Sequence, residues 1–323
     1  MRTIRTDLAV EAHEYYTEGG KHVPQGVEMK KTEMDGCSIT RVRILSEQGE
    51  TALHKPQGEY ITIEIRDIMR LSAQGQEAAG GVLGRQIRQL LEGCGISGED
   101  EILVIGLGNW DITPDALGPK TISKLVVTRH LLEYMPEVVE QGTRSVCAMS
   151  PGVLGITGIE TGEIVKGLVE RVKPKAVIAI DALASRSTER VGVTVQLSDT
   201  GISPGSGIGN RRKELTRRTL GIPVIAIGVP MVVDAATIAD DALDAVIEKL
   251  GESADKQKPF YEMLKSLEGE ERYELIRQSL GKGLAEMIVT PKEVDAMIEE
   301  ISSVLSDGIN KGIYSSEFLR QVS

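Results

Sequence analysis

Two periods of apolar residues run along this chain, and the switches between them mark its elements. Residues 37–45 (CSITRVRIL) and 60–67 (YITIEIRD) alternate at every second position, which predicts two half-buried strands joined by a polar loop. Over 75–92 the spacing changes to that of a helix, with Leu83, Ile87, Leu90 and Leu91 on one face. Short continuous apolar runs follow at 101–107 (EILVIGL), 145–149 (SVCAM), 176–180 (AVIAI) and 223–229 (PVIAIGV), each the length of a buried strand. A further strand is expected at 191–197 (VGVTVQL), and helices at 161–171, near 211–219 and over 235–250.

Strands alternating with helices predict an α/β domain, a three-layer α/β/α arrangement around a mostly parallel sheet. Residues 251–287 are charged and helical in character, and read as a peripheral helical insertion. From Pro291 onward Val294, Met297, Ile298, Ile301 and Val304 fall at helix spacing, predicting a C-terminal helix packed back on the sheet. Residues 1 to about 20 are polar, end in Gly19-Gly20 and read as a detachable arm.

Composition narrows the function classes. The chain has 323 residues and a net charge of -11, from 48 acidic and 37 basic side chains, which argues against a nucleic-acid surface. Aromatic residues make up only 3%, too few for a base-stacking platform. Cys37, Cys94 and Cys147 are far apart and form no CxxC pair, so they are read as reduced thiols in a cytoplasmic protein. The N-terminus is charged from its second residue, unlike a secretory signal, and the run ILVIGLG is too short to cross a bilayer. No membrane association is expected.

Candidate chemistry gathers where the apolar runs end. In open parallel sheets, ligands bind outside the carboxyl ends of the strands. There the chain places Asp111 and Asp115 (ILVIGLGNWDITPDALG), Asp181 (AVIAIDALASRS) and Asp234 (PVIAIGVPMVVDAAT), each read as following its strand. A carboxyl group at a dry strand end holds its proton more tightly while a partner stays charged, so two of them can divide acid–base work on a peptide bond. Carboxylates in this position also serve as ligands to a water-activating cation, or as N-caps of the following helices, a role best suited to Asp234. Pro114 suits the first turn of a helix starting near Asp115.

Other chemistries find little support. GLGNWDITPDALG lacks the third glycine of a dinucleotide loop, and no GxxxxGK[ST] segment occurs. The four histidines, His13, His22, His54 and His130, all lie in the first half, with no HExxH motif, and no GxSxG elbow is present. Cys147 lies in a strand with no histidine near it in sequence and reads as structural.

The segments GLGNWDITPDALGP, AIDALASRS and ISPGSGIGNRRKEL closely resemble the germination protease family of spore-forming bacteria. RTDLAVEA, SPGVLGITGIET and MIVTPKEVDAMIEEIS extend the resemblance over essentially the whole chain. The resemblance implies a fold like that of hydrogenase maturation proteases. It also implies an endopeptidase that starts the degradation of small acid-soluble spore proteins during germination, made as a self-processing zymogen and assembled as a homotetramer in the forespore and spore core. It places the two catalytic aspartates at Asp115 and Asp181, in an aspartic-type mechanism with no cofactor or metal.

The related maturation enzymes bind nickel with a later histidine, whereas no histidine follows His130 here. The family's preferred cleavage pattern is a small hydroxylated residue, an acidic residue, a large apolar residue and alanine. It matches Thr6-Asp7-Leu8-Ala9, implying a propeptide of residues 1–7, cleavage between Asp7 and Leu8, and a peptidase domain over 8–323. The loop from Asp199 to Asn210 and the segment from Arg186 to Arg190 are candidate cleft walls, with Arg186, then Arg211, as partner for the substrate's acidic side chain. Two competing readings are a metal-dependent maturation endopeptidase and a non-catalytic spore scaffold whose aspartates are caps.

Overall fold

The computed structural model describes residues 6–18, 22–66, 68–140, 142–203, 213–252, 269–285 and 287–322. Its strands are β1 (Val27–Met34), β2 (Cys37–Ile44), β3 (Gly58–Glu64), β4 (Ile102–Gly106), β5 (Val146–Met149), β6 (Ala176–Ala184), β7 (Thr194–Ser198), β8 (Val224–Asp234) and β9 (Ile288–Val289). They form one sheet in the order β1-β2-β3-β7-β8-β6-β4-β5, with β9 added to the end of β8. Helices cover the sheet, so the chain has the α/β class that its apolar runs predict.

The sheet is mixed, not mostly parallel as expected: among the named strands β8-β6-β4-β5 pair in parallel, whereas β1-β2-β3-β7-β8 pair antiparallel. Turn length explains the antiparallel start. Met34 pairs with Cys37, leaving a two-residue Asp35-Gly36 turn with φ of 49° and 80°, which reverses the chain at once. Strand β1 carries almost no apolar alternation, since seven of its eight residues are exposed, and so gives no period-two signal.

Side-chain alternation sorts the core into two layers. Ile178 and Ile180 of β6, with Ile225, Ile227, Val195 and Leu197, enter the core beneath the helices Ala73–Gly93 and Val294–Ile313. The predicted helix faces are correct: Leu83, Ile87, Leu90 and Leu91, and Val294, Met297, Ile298, Ile301 and Val304, are all buried. These two helices approach closely through small residues. A Cβ on Gly84 would come within 3.0 Å of the Gly308 carbonyl, and one on Gly308 within 2.6 Å of Leu83 Cβ. Val177, Ala179 and Val224 face the other way, against Val165 and Val169 of the helix Thr161–Val172. Asp181, next in the alternation after Val177 and Ala179, therefore belongs to this second face.

The segment read as a detachable arm is built into the fold from residue 8 onward. Residues Ala9–Glu18 form helix α1, and Leu8, Ala9 and Val10 are at most 2% exposed. Ala9 packs with Val27, Val42, Leu53 and Tyr60, while Leu8 and Val10 pack on Leu183. The apolar residues here are few and small, so periodicity alone does not separate this helix from a loose terminus.

Of the region read as a peripheral insertion, residues 251–252 end the helix Ala235–Glu252, and the helix Gly269–Ala285 packs on it. Arg272 joins them through Asp240 and Asp244. The helix read near 211–219 is described only as the single turn Arg217–Leu220.

His13 on α1 is buried, and burial pushes its imidazole below the ordinary 6.5, with Glu14 acting in the opposite sense. The unfolded chain binds the proton more readily, so stability held above that value is lost as pH falls through it. From about pH 7.5 to about pH 5.5 the melting temperature should fall more for the native chain than for His13→Gln. An identical fall in both would remove His13 as the cause.

Candidate active site

Strand β6 carries its aspartate inside the strand. Asp181 pairs in register with Gly228 of β8, and pairing runs on to Ala184 with a bulge at Leu183/Ala184. The expectation that each aspartate follows its strand therefore fails for Asp181, because the β8 backbone continues alongside and keeps it extended. Asp181 is 6% exposed, and its Oδ1 accepts the N–H of Ala182 at 3.0 Å.

Asp115 reaches the neighbouring strand end by a tight return. The Leu107 N–H donates to the Ile180 carbonyl at 2.8 Å, which fixes the end of β4 beside the Ile180-Asp181 peptide. Gly108 follows with φ of 114°, and the chain turns through the short helix Thr113–Asp115, with Pro114 in its first turn. Asp115 Oδ2 then accepts the Asn109 N–H at 2.8 Å. Only glycine fits at 108, since a Cβ there would lie 1.9 Å from the Asp115 carbonyl oxygen. The turn packs against β6 and β8, so the chain segment that carries Asp115 lies against the strand that carries Asp181.

The other two strand-end aspartates have different surroundings. Asp234 ends β8, and its Oδ1 accepts the Thr237 N–H at 3.0 Å, capping the helix Ala235–Glu252. It also accepts the Tyr273 hydroxyl. Asp111 is exposed, and its N–H donates to Asn109 Oδ1, bracing the loop.

A polar row crosses the second face of the sheet toward Asp181. Thr40, Thr62, Gln196, Gly228 and Asp181 are successive register partners on β2, β3, β7, β8 and β6. At Gly228 the row has no side chain; Leu183 leans over it, 2.3 Å from where a Cβ would stand.

The segment Thr6 to Val10 lies on this face. The Asp7 N–H donates to the Ala184 carbonyl at 3.2 Å, and the Ala184 N–H returns a bond to Asp7 Oδ2 at 3.0 Å. Two donors meet the Asp7 carbonyl oxygen, Lys55 Nζ at 3.0 Å and Gln196 Nε2 at 2.9 Å. Leu8 is fully buried against Leu183. Neither Lys55 nor Gln196 stands near the aspartates in sequence, and the position of Gln196 inside a predicted strand gave no functional signal.

The loop after β6 grips α1. Glu11, 3% exposed, accepts the backbone N–H groups of Arg186 and Ser187 at 2.9 and 3.1 Å and pairs with Arg190 at 3.3 Å. Arg186 places its guanidinium on Asp240 at 3.4 Å and over the Tyr15 ring at 4.9 Å. Arg211, the second candidate for an acidic substrate side chain, lies outside the described residues, as does the loop 204–210.

A sequence profile described as germination protease matches residues 5–261 and 252–317 of this chain. The chain belongs to the germination protease family. A germination protease of Clostridium tetani is 51% identical over 308 residues, covering 95% of this chain and 94% of the relative. One from Caldanaerobacter subterraneus is 51% identical over 307 residues, with 95% and 93% covered. One from Bacillus cereus is 42% identical, with 97% and 94% covered. As a germination protease the chain is a protease, and its thiols are poorly placed to act as the nucleophile. Burial pushes Cys147 up to about 11 and raises Cys37 and Cys94 as well, which disfavours the thiolate. Among the described residues, no three His, Cys, Asp or Glu side chains converge as a metal ligand set. No helix among them is long and apolar enough to cross a membrane.

Proposed function

We propose that this chain is an aspartic-type endopeptidase that opens the degradation of small acid-soluble spore proteins at germination, and is made as a precursor that removes its own residues 1–7. One observation carries the reading. The Asp7-Leu8 peptide, which fits the cleavage pattern of the family it resembles, is hydrogen-bonded to the end of the strand that bears Asp181. The arm thus occupies the place a spore-protein segment would take, with its acidic side chain on the Ala184 N–H and its large apolar residue on Leu183.

Asp115 and Asp181 supply the acid and the base as a coupled pair. The ionised member takes a proton from water as the water oxygen bonds to the Asp7 carbonyl carbon. The carbonyl π electrons move onto oxygen. When they return, the C–N bond breaks and the neutral member gives its proton to the Leu8 nitrogen. Products are an Asp7 carboxyl group and a free Leu8 amine.

The same proposal places the protein in the forespore and spore core and assembles it as a homotetramer. Trp110, Ile112, Leu154, Ile156 and Ile159 are exposed apolar side chains available to a second copy. Arg186 and Arg211 are retained as candidates for acidic residues of longer substrates.

Intact-mass analysis of the purified full chain under mildly acidic incubation tests the reading. The expected product starts at Leu8, and a peptide containing the Thr-Asp-Leu-Ala sequence is cut after its aspartate. An intact chain and an uncut peptide would defeat it.

A further inference from the structure

We propose that Lys55 and Gln196 form the oxyanion hole of this peptidase, donating to the carbonyl oxygen of the scissile bond as it gains negative charge. The inference rests on the reading of Asp7-Leu8 as the processed bond.

Three features set these donors apart from ordinary packing contacts. First, they converge on one atom. Lys55 Nζ and Gln196 Nε2 both reach the Asp7 carbonyl oxygen, at 3.0 and 2.9 Å, and Lys55 also holds the Thr6 carbonyl at 3.1 Å. Second, the amide of Gln196 has a determined orientation. Its Oε1 accepts the Ala9 N–H at 2.7 Å, and since a backbone N–H only donates, the Nε2 side is left for the carbonyl. Gln196 therefore spans the bond, holding the residue before it and the residue after its partner Leu8.

Third, both donors sit on rigid supports. Gln196 is 8% exposed in the middle of β7, paired on both sides. Lys55 follows His54, a left-handed helix cap with φ of 50°, and precedes Pro56, whose carbonyl accepts the Tyr60 hydroxyl at 2.8 Å. Burial of the ammonium lowers the lysine's proton affinity, while Asp7 and Glu11 raise it. A donor held in a preorganised site gains most when charge appears on its acceptor.

The register row places Gln196 on the same face of the sheet as Asp181. Gln196 and Asp181 are two strands apart across Gly228, about 10 Å between Cα atoms at the usual strand spacing. The bare Gly228 leaves the space between them to Leu183, the side chain on which Leu8 rests. A peptide held by Gln196 on its carbonyl and by Leu183 on its next side chain lies over the interval that Asp181 borders. In the step described above, the electron pair that moves onto the Asp7 oxygen is the charge these two groups receive, and no proton leaves either of them.

A latch that merely secures the arm would use the same bonds, and the two roles predict opposite rates. Removing a latch leaves cleavage unchanged or faster; removing an oxyanion donor slows it about 10²- to 10³-fold. The test is the first-order rate of loss of residues 1–7 from the full chain, read by intact mass. The chains compared are the native one, Lys55→Met, Gln196→Leu and Lys55→Arg, each checked for folding by thermal melting. Expected are losses of about 10²-fold or more for Lys55→Met and Gln196→Leu, with partial recovery in Lys55→Arg.

If a variant fails to fold, the bond itself can be observed. Joining a synthetic 1–36 segment to Cys37 by thioester ligation places a ¹³C label in the Asp7 carbonyl of an Asp181→Asn chain. Its infrared band should move to higher frequency when the remaining folded variant removes one donor. Native cleavage with undiminished rates in the variants, or an unmoved band, overturns the oxyanion hole and leaves self-processing standing. A native chain that never loses residues 1–7 overturns self-processing, and the inference with it.

Discussion

Replacing Asp181 with asparagine is expected to halt removal of residues 1–7, slowing it by about 10²- to 10⁴-fold, the range for loss of a positioned acid or base. Asparagine has the same shape and keeps an oxygen to accept the Ala182 N–H, so the packing of β6 should survive. What is lost is the capacity to take up or release a proton. Asp115→Asn is expected to behave alike, since its amide oxygen can still accept the Asn109 N–H. If the two carboxyl groups act as one unit, the double variant should be little worse than either single one. Melting temperatures should stay near the native value, because each change keeps the side chain's shape and its accepting oxygen. Self-cleavage at native rate in Asp181→Asn would end the aspartic reading, and inhibition of the native enzyme by chelation would redirect it to a metal.

Gly108→Ala is expected to have the second largest effect, through geometry alone. The added Cβ would meet the Asp115 carbonyl oxygen at 1.9 Å, so the turn that carries this carboxylate must move. A displacement of about 1 Å at a reacting group costs roughly 10² in rate. The left-handed backbone and the clash together should cost about 1–3 kcal/mol of stability. Gly36→Ala separates the two causes. Gly36 also has positive φ, 80°, but a Cβ there meets nothing within 4 Å, and it lies in the β1–β2 turn. It should lose some stability and keep full self-cleavage. Equal activity in both variants would show that the position of Asp115 does not matter.

Much of the scaffold was legible because its signals are local. The runs ILVIGLG, AVIAI and PVIAIGV are apolar at every position, as strands covered on both faces must be, and β4, β6 and β8 occupy them. The helices Ala73–Gly93 and Val294–Ile313 declare themselves by spacing that puts their large side chains on one side. Strand β1 was missed because almost all of it is solvated, yet Asp35-Gly36 is a hairpin signal that stood in plain view. The end of β6 was placed too early because an aspartate inside an apolar run looks like a terminus, whereas the backbone of β8 carries the pairing on to Ala184.

The candidate site divides in the same way. Asp115 and Asp181 are candidates by motif resemblance, and the rule that ligands gather near the carboxyl ends of parallel strands points to the same region. Lys55 and Gln196 carry no local mark, and Leu8 with α1 offers only Ala9, Val10 and Ala12 as further aliphatic residues within a largely polar stretch.

By itself the sequence determined the α/β class, the buried strands and the two long amphipathic helices. Each of these follows from hydrophobic period and backbone preference within a few residues. Only the tertiary structure decided that the sheet is half antiparallel, that α1 docks over its second face, and that Lys55, Gln196 and Ala184 meet at Asp7. Those contacts join residues far apart in the chain, and their positions depend on strand order and register, which no local preference encodes.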